Sequence, residues 1–134
     1  MSDIKQELID FRLARAAESF KMASLAIEQK YWNTVASELY YTCYYFVIAL
    51  FAKNDIKTST HSGMRTELGS KFIKEGILDA KWGKLISVLF NLRQKGDYGD
   101  FTFLTEEEVF PYLNEVENFG IMIIEMIEDK KENQ

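Results

Sequence analysis

Apolar residues recur at steps of three and four through most of this chain, and no stretch shows the every-other-residue alternation of a half-buried strand. Over residues 3–29, Ile4, Leu8, Phe11, Met22 and Leu25 fall near one face, with Leu13, Ala16, Ala17, Phe20 and Ile27 widening it. This spacing predicts a first helix whose alanines let a neighbour come close. Residues 33–53 predict a second helix with two stripes, one of Val35, Ala36, Leu39, Cys43, Phe46, Val47 and Leu50, the other of Tyr41, Tyr44, Tyr45, Ile48 and Phe51. A helix apolar nearly all round belongs at the centre of a bundle or at a subunit interface, and the tyrosine hydroxyls, which need a polar partner, point to the interface.

A polar connection at residues 54–60 follows, and Ser59, Thr60 or Ser62 is placed to cap a short third helix ending near Lys74-Glu75-Gly76. The fourth helix starts near Leu78 or Asp79, carries the stripe Trp82, Leu85, Ile86, Leu89 and Arg93, and is expected to stop around Gly96. Thr105 and Glu108 have capping-box spacing, but Pro111 forbids an uninterrupted helix. A separate turn at residues 105–109 is therefore expected before a last helix that begins near Pro111 and carries Tyr112, Leu113, Val116, Phe119, Ile123 and Ile127. The charged run Glu128-Asp129-Lys130-Lys131-Glu132 reads as a fraying, solvated end. Four long helices and one short one, with short links and no internal repeat, predict an all-α, bundle-like fold, one domain over residues 1–134.

Composition narrows the class. The 134 residues are 47% hydrophobic and 14% aromatic, enough for a packed core without staples. The lone Cys43, among tyrosines and aliphatics, reads as a buried thiol rather than a nucleophile. The N-terminus lacks the basic start and apolar stretch of a signal peptide, and the apolar run at residues 43–52 is too short to span a bilayer, so a cytoplasmic protein without a membrane span is expected. A net charge of −5 argues against a broad phosphate-binding surface, so any nucleic-acid contact must be local.

One histidine, His61, and one cysteine exclude the usual zinc motifs, and two Glu-x-x-His motifs for a carboxylate-bridged metal pair are lacking. Gly-rich phosphate loops and a Gly-x-Ser-x-Gly elbow are also missing, so no cofactor and no metal are expected. Glu106-Glu107-Glu108 splays around a helix start, where acids complement the helix dipole.

What stands out is Arg93. It continues an apolar stripe and is followed by Lys95, Gly96, Asp97 and Tyr98. A buried guanidinium without an anion costs several kcal/mol, so Arg93 must meet Asp97 one turn on, a neighbouring chain or a phosphate from outside. In the binding alternative Arg93 holds a phosphate in a forked pair of hydrogen bonds, Lys95 and the Tyr98 hydroxyl add donors, and Asp97 orients the arginine. In the structural alternative Arg93 and Asp97 lock the helix end, with Tyr98 packed over them. Asn91, two residues earlier, reaches a ligand only from the rim, and His61 either caps and packs or is brought from its linker as a base.

His61-Ser62-Gly63, the aromatic helix Ala36 to Tyr45, Phe72 before Lys74-Glu75-Gly76, and Leu92-Arg93 leading to Asp97-Tyr98 together resemble the HEPN superfamily, specifically its small stand-alone prokaryotic members with Arg followed by Asp-Tyr. The resemblance runs from about Arg15 to the last helix. It implies a five-helix fold that usually dimerises, with the arginine-bearing helix ends of two chains forming a shared cleft. Many relatives cut RNA without metal, and many pair with a nucleotidyltransferase in toxin-antitoxin or defence modules.

Ribonuclease members carry a histidine a few residues after the arginine; here, after four intervening residues, stands Tyr98. Tyrosine, with a reference pKa of about 10, is a poor base at neutral pH, and loss of a good base costs about 10² to 10⁴ in rate. The expected function is therefore RNA or nucleotide binding at an Arg93-centred dimer cleft, with Arg93, Asp97 and Tyr98 the catalytic set of a weak or degenerate endoribonuclease. The alternative is a non-enzymatic module that partners a nucleotidyltransferase through its aromatic helices.

Overall fold

The computed structural model describes residues 2–129. Its α1, Ser2–Glu28, runs antiparallel to α2, Trp32–Lys53, through a reversal in which Lys30 takes φ 60° and the Tyr31 N–H donates to the Ala26 carbonyl at 3.0 Å. α3, His61–Leu68, continues into a π-helical turn, Gly69–Ile73, and α4 is Ala80–Tyr98. A single turn, α5, Glu106–Val109, leads through the 3₁₀ segment Phe110–Tyr112 into α6, Leu113–Ile127. Lys130, Lys131 and Glu132 of the charged tail lie outside the described residues.

Local chemistry sets these boundaries. Thr60 caps α3 by accepting the Gly63 N–H at 2.8 Å, and Asp79 caps α4 by accepting the Lys81 N–H at 2.9 Å. The Thr105–Glu108 capping box forms in both directions. Lys95 donates to Glu108 at 2.9 Å, and that bond, followed by the Thr105 backbone, holds the Glu108 carboxyl below the usual carboxylate range.

α2 is the central helix, buried by α1, α4 and α6. By length and composition alone it is apolar enough to cross a membrane, but most of its residues are buried inside the fold, as expected of a core helix. Its first stripe is wholly in the core, joined by Tyr40, while Tyr41, Tyr44 and Tyr45 are half-buried. Cys43 is fully buried, which pushes its thiol up and keeps it protonated. Leu85, Ile86 and Leu89 of α4 and Val116, Phe119, Ile123 and Ile127 of α6 complete the core as their spacing predicts.

Two expectations are corrected. On α1 the core contacts are made by Ile9, Ala16, Ala23 and Ala26, whereas Ile4, Leu8, Phe11, Met22 and Leu25 are exposed. The alanines allow α1 to approach α2 closely, so the small residues face inward and the larger ones lie on an outer ridge. Gly96 does not end α4, which continues to Tyr98. A Cβ there would meet Leu104 Cδ1 at 3.0 Å and Asn33 Cγ at 3.3 Å, so this glycine makes room for a tertiary contact. Asn33 uses the space: its Nδ2 donates to the Gly96 and Thr102 carbonyls, each at 3.0 Å, and its Oδ1 accepts the Leu104 N–H at 2.8 Å.

Candidate functional site

The stripe that buries Leu85, Ile86 and Leu89 carries Arg93 into the same layer one turn later, with its side chain only 12% exposed. The guanidinium carbon lies 4.9 Å from the Tyr41 ring centre, 5.6 Å from Tyr40 and 5.8 Å from Tyr98. Nη2 donates to the Tyr98 hydroxyl at 3.3 Å. Nε stands 3.5 Å from Asp97 Oδ2, but it is buried and makes no hydrogen bond. Among the described residues Arg93 therefore uses one of its five N–H donors in a hydrogen bond, held in place by rings and a poorly aligned carboxylate.

α3 supplies the opposite wall. The Thr60 cap places His61 at the first position of that helix and Arg65 one turn on. His61 Nδ1 lies 2.8 Å from the Tyr40 hydroxyl, and its ring centre is 4.6 Å from Tyr44, 5.5 Å from Tyr40 and 5.8 Å from Tyr41. Arg65 stacks over Phe90 at 4.2 Å and has a buried Nη1 without a partner. Tyr40 and Tyr41 thus touch both Arg93 and His61, so folding gathers two guanidinium groups and the chain's one imidazole around the buried Tyr40 phenol.

Electrostatics follow from this packing. Burial first, then Arg93 and Arg65, push the His61 pKa down, which favours a neutral imidazole able to accept a proton. Burial pushes Tyr40 up to about 12 against the pull of the two arginines, so its hydroxyl stays protonated. Tyr41 is raised as well, chiefly by burial. Beside Asp97, burial is also the main cause that raises Glu38.

Of the residues singled out from the sequence, Arg93, Asp97, Tyr98 and His61 come together. Lys95 is drawn away to Glu108. Asn91 lines a groove of about 480 Å³ between α3 and α4 that it shares with Arg65 and Ser87. Arg65 and Tyr40 were missed by the sequence reading, although His61 and Arg65 stand four apart, the spacing of two side chains on one helical face. Among the described residues, no group of three or more His, Cys, Asp or Glu side chains is gathered as metal ligands. Chemically, the cluster sets the charge of two arginines on the Tyr40 phenol and on an imidazole whose pKa is lowered.

Comparison with known proteins identifies the family. The family model described as HEPN domain matches residues 9–127. A "UPF0332 protein" of Thermotoga maritima is 30% identical over 127 residues, covering 95% of this chain and 96% of that protein. Two Methanocaldococcus jannaschii proteins are each 29% identical: "Putative toxin MJ0605", over 87% of this chain and 86% of its own length, and "Putative toxin MJ0142", over 75% and 68%.

Proposed function

This chain belongs to the HEPN family, and from that premise we propose that it is a toxin-like RNA-binding protein that holds one RNA phosphate with Arg93 and Arg65 and cleaves the chain there without a metal. The observation that supports this reading is the sharing of Tyr40 and Tyr41 by Arg93 and His61, which sets a guanidinium with spare donors beside an imidazole held neutral. The step requires the tautomer in which Nδ1–H donates to the Tyr40 oxygen, 2.8 Å away, so that His61 Nε2 carries the lone pair. It takes the proton of the ribose 2′-hydroxyl, whose oxygen attacks phosphorus. The bond to the 5′-oxygen breaks, the leaving oxygen takes a proton from water, the hydroxide so formed takes back the proton held by His61, and the products are a 2′,3′-cyclic phosphate and a 5′-hydroxyl. The arginines balance the charge of the crowded phosphorane. Tyr98, where related ribonucleases carry histidine, bonds to Arg93 and offers its hydroxyl to a phosphate oxygen.

The setting we propose is a cytoplasmic toxin-antitoxin or defence module with a nucleotidyltransferase partner, in keeping with the toxin names of the two archaeal relatives. The test is incubation of labelled RNA with purified protein in chelator. Cleavage to cyclic-phosphate ends, lost in both Arg93→Ala and His61→Asn, is the expected result. No cleavage at high protein concentration would overturn the enzymatic reading.

A second reading has its own observation. Phe101 and Phe103 stand exposed just past Tyr98, and Phe101 adopts φ 58°, outside the usual range for a bulky residue. Exposed rings of this kind fit a protein-binding module that does no chemistry. Binding of a nucleotidyltransferase encoded beside the gene, abolished by Phe101→Ser with RNA untouched, would favour it.

A further inference from the structure

We propose that the groove between α3 and α4 is the pocket for one unpaired RNA base, that of a nucleotide flanking the phosphate held by Arg93 and Arg65, with Asn91 and Ser87 at the base edge. The inference rests on the RNA reading of that cluster and extends it to the substrate's base.

The groove, about 480 Å³, falls within the roughly 300–1,000 Å³ of small-molecule pockets. It has a direction. α3 and the π-helical turn place Arg65, Gly69 and Ile73 four residues apart along one wall, and α4 places Asn91, Ser87 and Lys84 along the other. At one end Arg65 stacks over Phe90 at 4.2 Å. At the other, Ile73 closes against Gly83, where a Cβ would stand 2.8 Å from Ile73 Cδ1. Leu68 and Ile86, both buried, line the stretch between these ends. An apolar body with a polar end suits a nucleobase, which RNA-reading proteins take unstacked, covering its faces and bonding to its edges. Asn91 offers such an edge a donor and an acceptor, and Ser87 a hydroxyl.

The polar end is where the groove meets the candidate site. Phe90, beneath Arg65, is 5.6 Å from the Tyr40 ring, which also touches Arg93 and His61. Arg65 therefore belongs to both, so a phosphate on its guanidinium sets the adjoining nucleotide at the mouth of the groove. The charged residues that line the groove, Arg65 and Lys84, are both cations on a chain of net charge −5, which suits a polyanion passing along its rim.

Gly69 keeps the groove open. Its backbone is ordinary right-handed helix, φ −63° and ψ −47°, and a Cβ there would meet nothing within 4 Å. Neither conformation nor packing calls for glycine, which weakens a helix relative to alanine. What its missing side chain leaves is room. The turn it begins is π-helical, with the Lys74 N–H donating to the Gly69 carbonyl at 2.8 Å, a widening that recurs at functional sites.

The test uses the full chain and short RNAs that carry 2′-O-methyl groups on every ribose but one. Only one phosphate can then be cut, every base has a fixed place relative to it, and each base is deleted in turn. In wild type the loss of one particular base should slow cleavage at least tenfold. Gly69→Leu, folded by circular dichroism, should cut the intact RNA at least tenfold more slowly and be indifferent to loss of that same base. Asn91→Ala should still cut, with a flatter preference among the four bases at that position. A wild type that tolerates every deletion, a folded Gly69→Leu that cuts intact RNA at the wild-type rate, or an Asn91→Ala with unchanged preference would overturn the groove's role alone. RNA left whole by wild type would overturn the ribonuclease reading beneath it as well.

Discussion

The Nδ1 of His61 lies 2.8 Å from the hydroxyl of Tyr40, a phenol with no exposed surface that also touches Arg93. The first residue of α3 and a core aromatic are thereby tied to the arginine of α4, and the protonation of one becomes a property of the fold.

Stability should record that tie. The folded state lowers the His61 pKa below its reference of 6.5, so between the lowered value and 6.5 the unfolded chain binds more protons than the folded one. The His61 contribution is present in full above pH 6.5 and is lost as pH falls through the lowered value. Urea melts across this range should show wild type losing stability toward acid more steeply than His61→Gln; equal slopes would contradict the shift.

Tyr98→Phe separates hydroxyl from ring. Tyr98 is 66% exposed and its hydroxyl accepts one hydrogen bond from Arg93, so thermal stability should change by less than about 0.5 kcal/mol. Phosphate or RNA affinity should fall by roughly two- to tenfold, the worth of one hydrogen bond. Calorimetric titration beside a thermal melt gives both values.

Asn33→Ala should cost about 1–3 kcal/mol, because it removes three hydrogen bonds at once and leaves the Leu104 N–H without its acceptor. Limited proteolysis should then cut faster between Gly99 and Phe103 in the variant than in wild type.

Gly120→Ala tests the packing of α6 against α2. A Cβ there would stand 2.6 Å from Phe46 Cε2, so the core ring must shift to admit it. The clash, about 1–3 kcal/mol, outweighs the roughly 1 kcal/mol that alanine gains in helix propensity. Denaturant midpoints should fall in this variant and rise if the packing is looser.

Burial on one side enforces periodicity, and this is why the stripes of α2, α4 and α6 could be read directly from residues such as Leu39, Leu89 and Phe119. α1 misled because its inward face is built from Ala16 and Ala23, whereas the bulkier Phe11 and Met22 repeat as regularly on the outside. Spacing reports a face but not which neighbour it meets. The same limit applied to Gly96, whose role depends on Asn33, 63 residues away, and to Lys95, whose partner Glu108 lies beyond the next loop. Arg93 was legible because a cation on an apolar stripe is costly. Its meeting with His61 was not, since it requires α3 and α4 to converge on Tyr40.

Because His61 is the single histidine, its proton resonance reports on this site without assignment. The most direct measurement is the His61 titration curve by NMR with and without inorganic phosphate, in wild type and in Arg93→Ala. An anion docked at Arg93 places negative charge beside the imidazole and must raise its pKa. Wild type should show that rise and Arg93→Ala should not; a wild-type curve indifferent to saturating phosphate would contradict the proposed site.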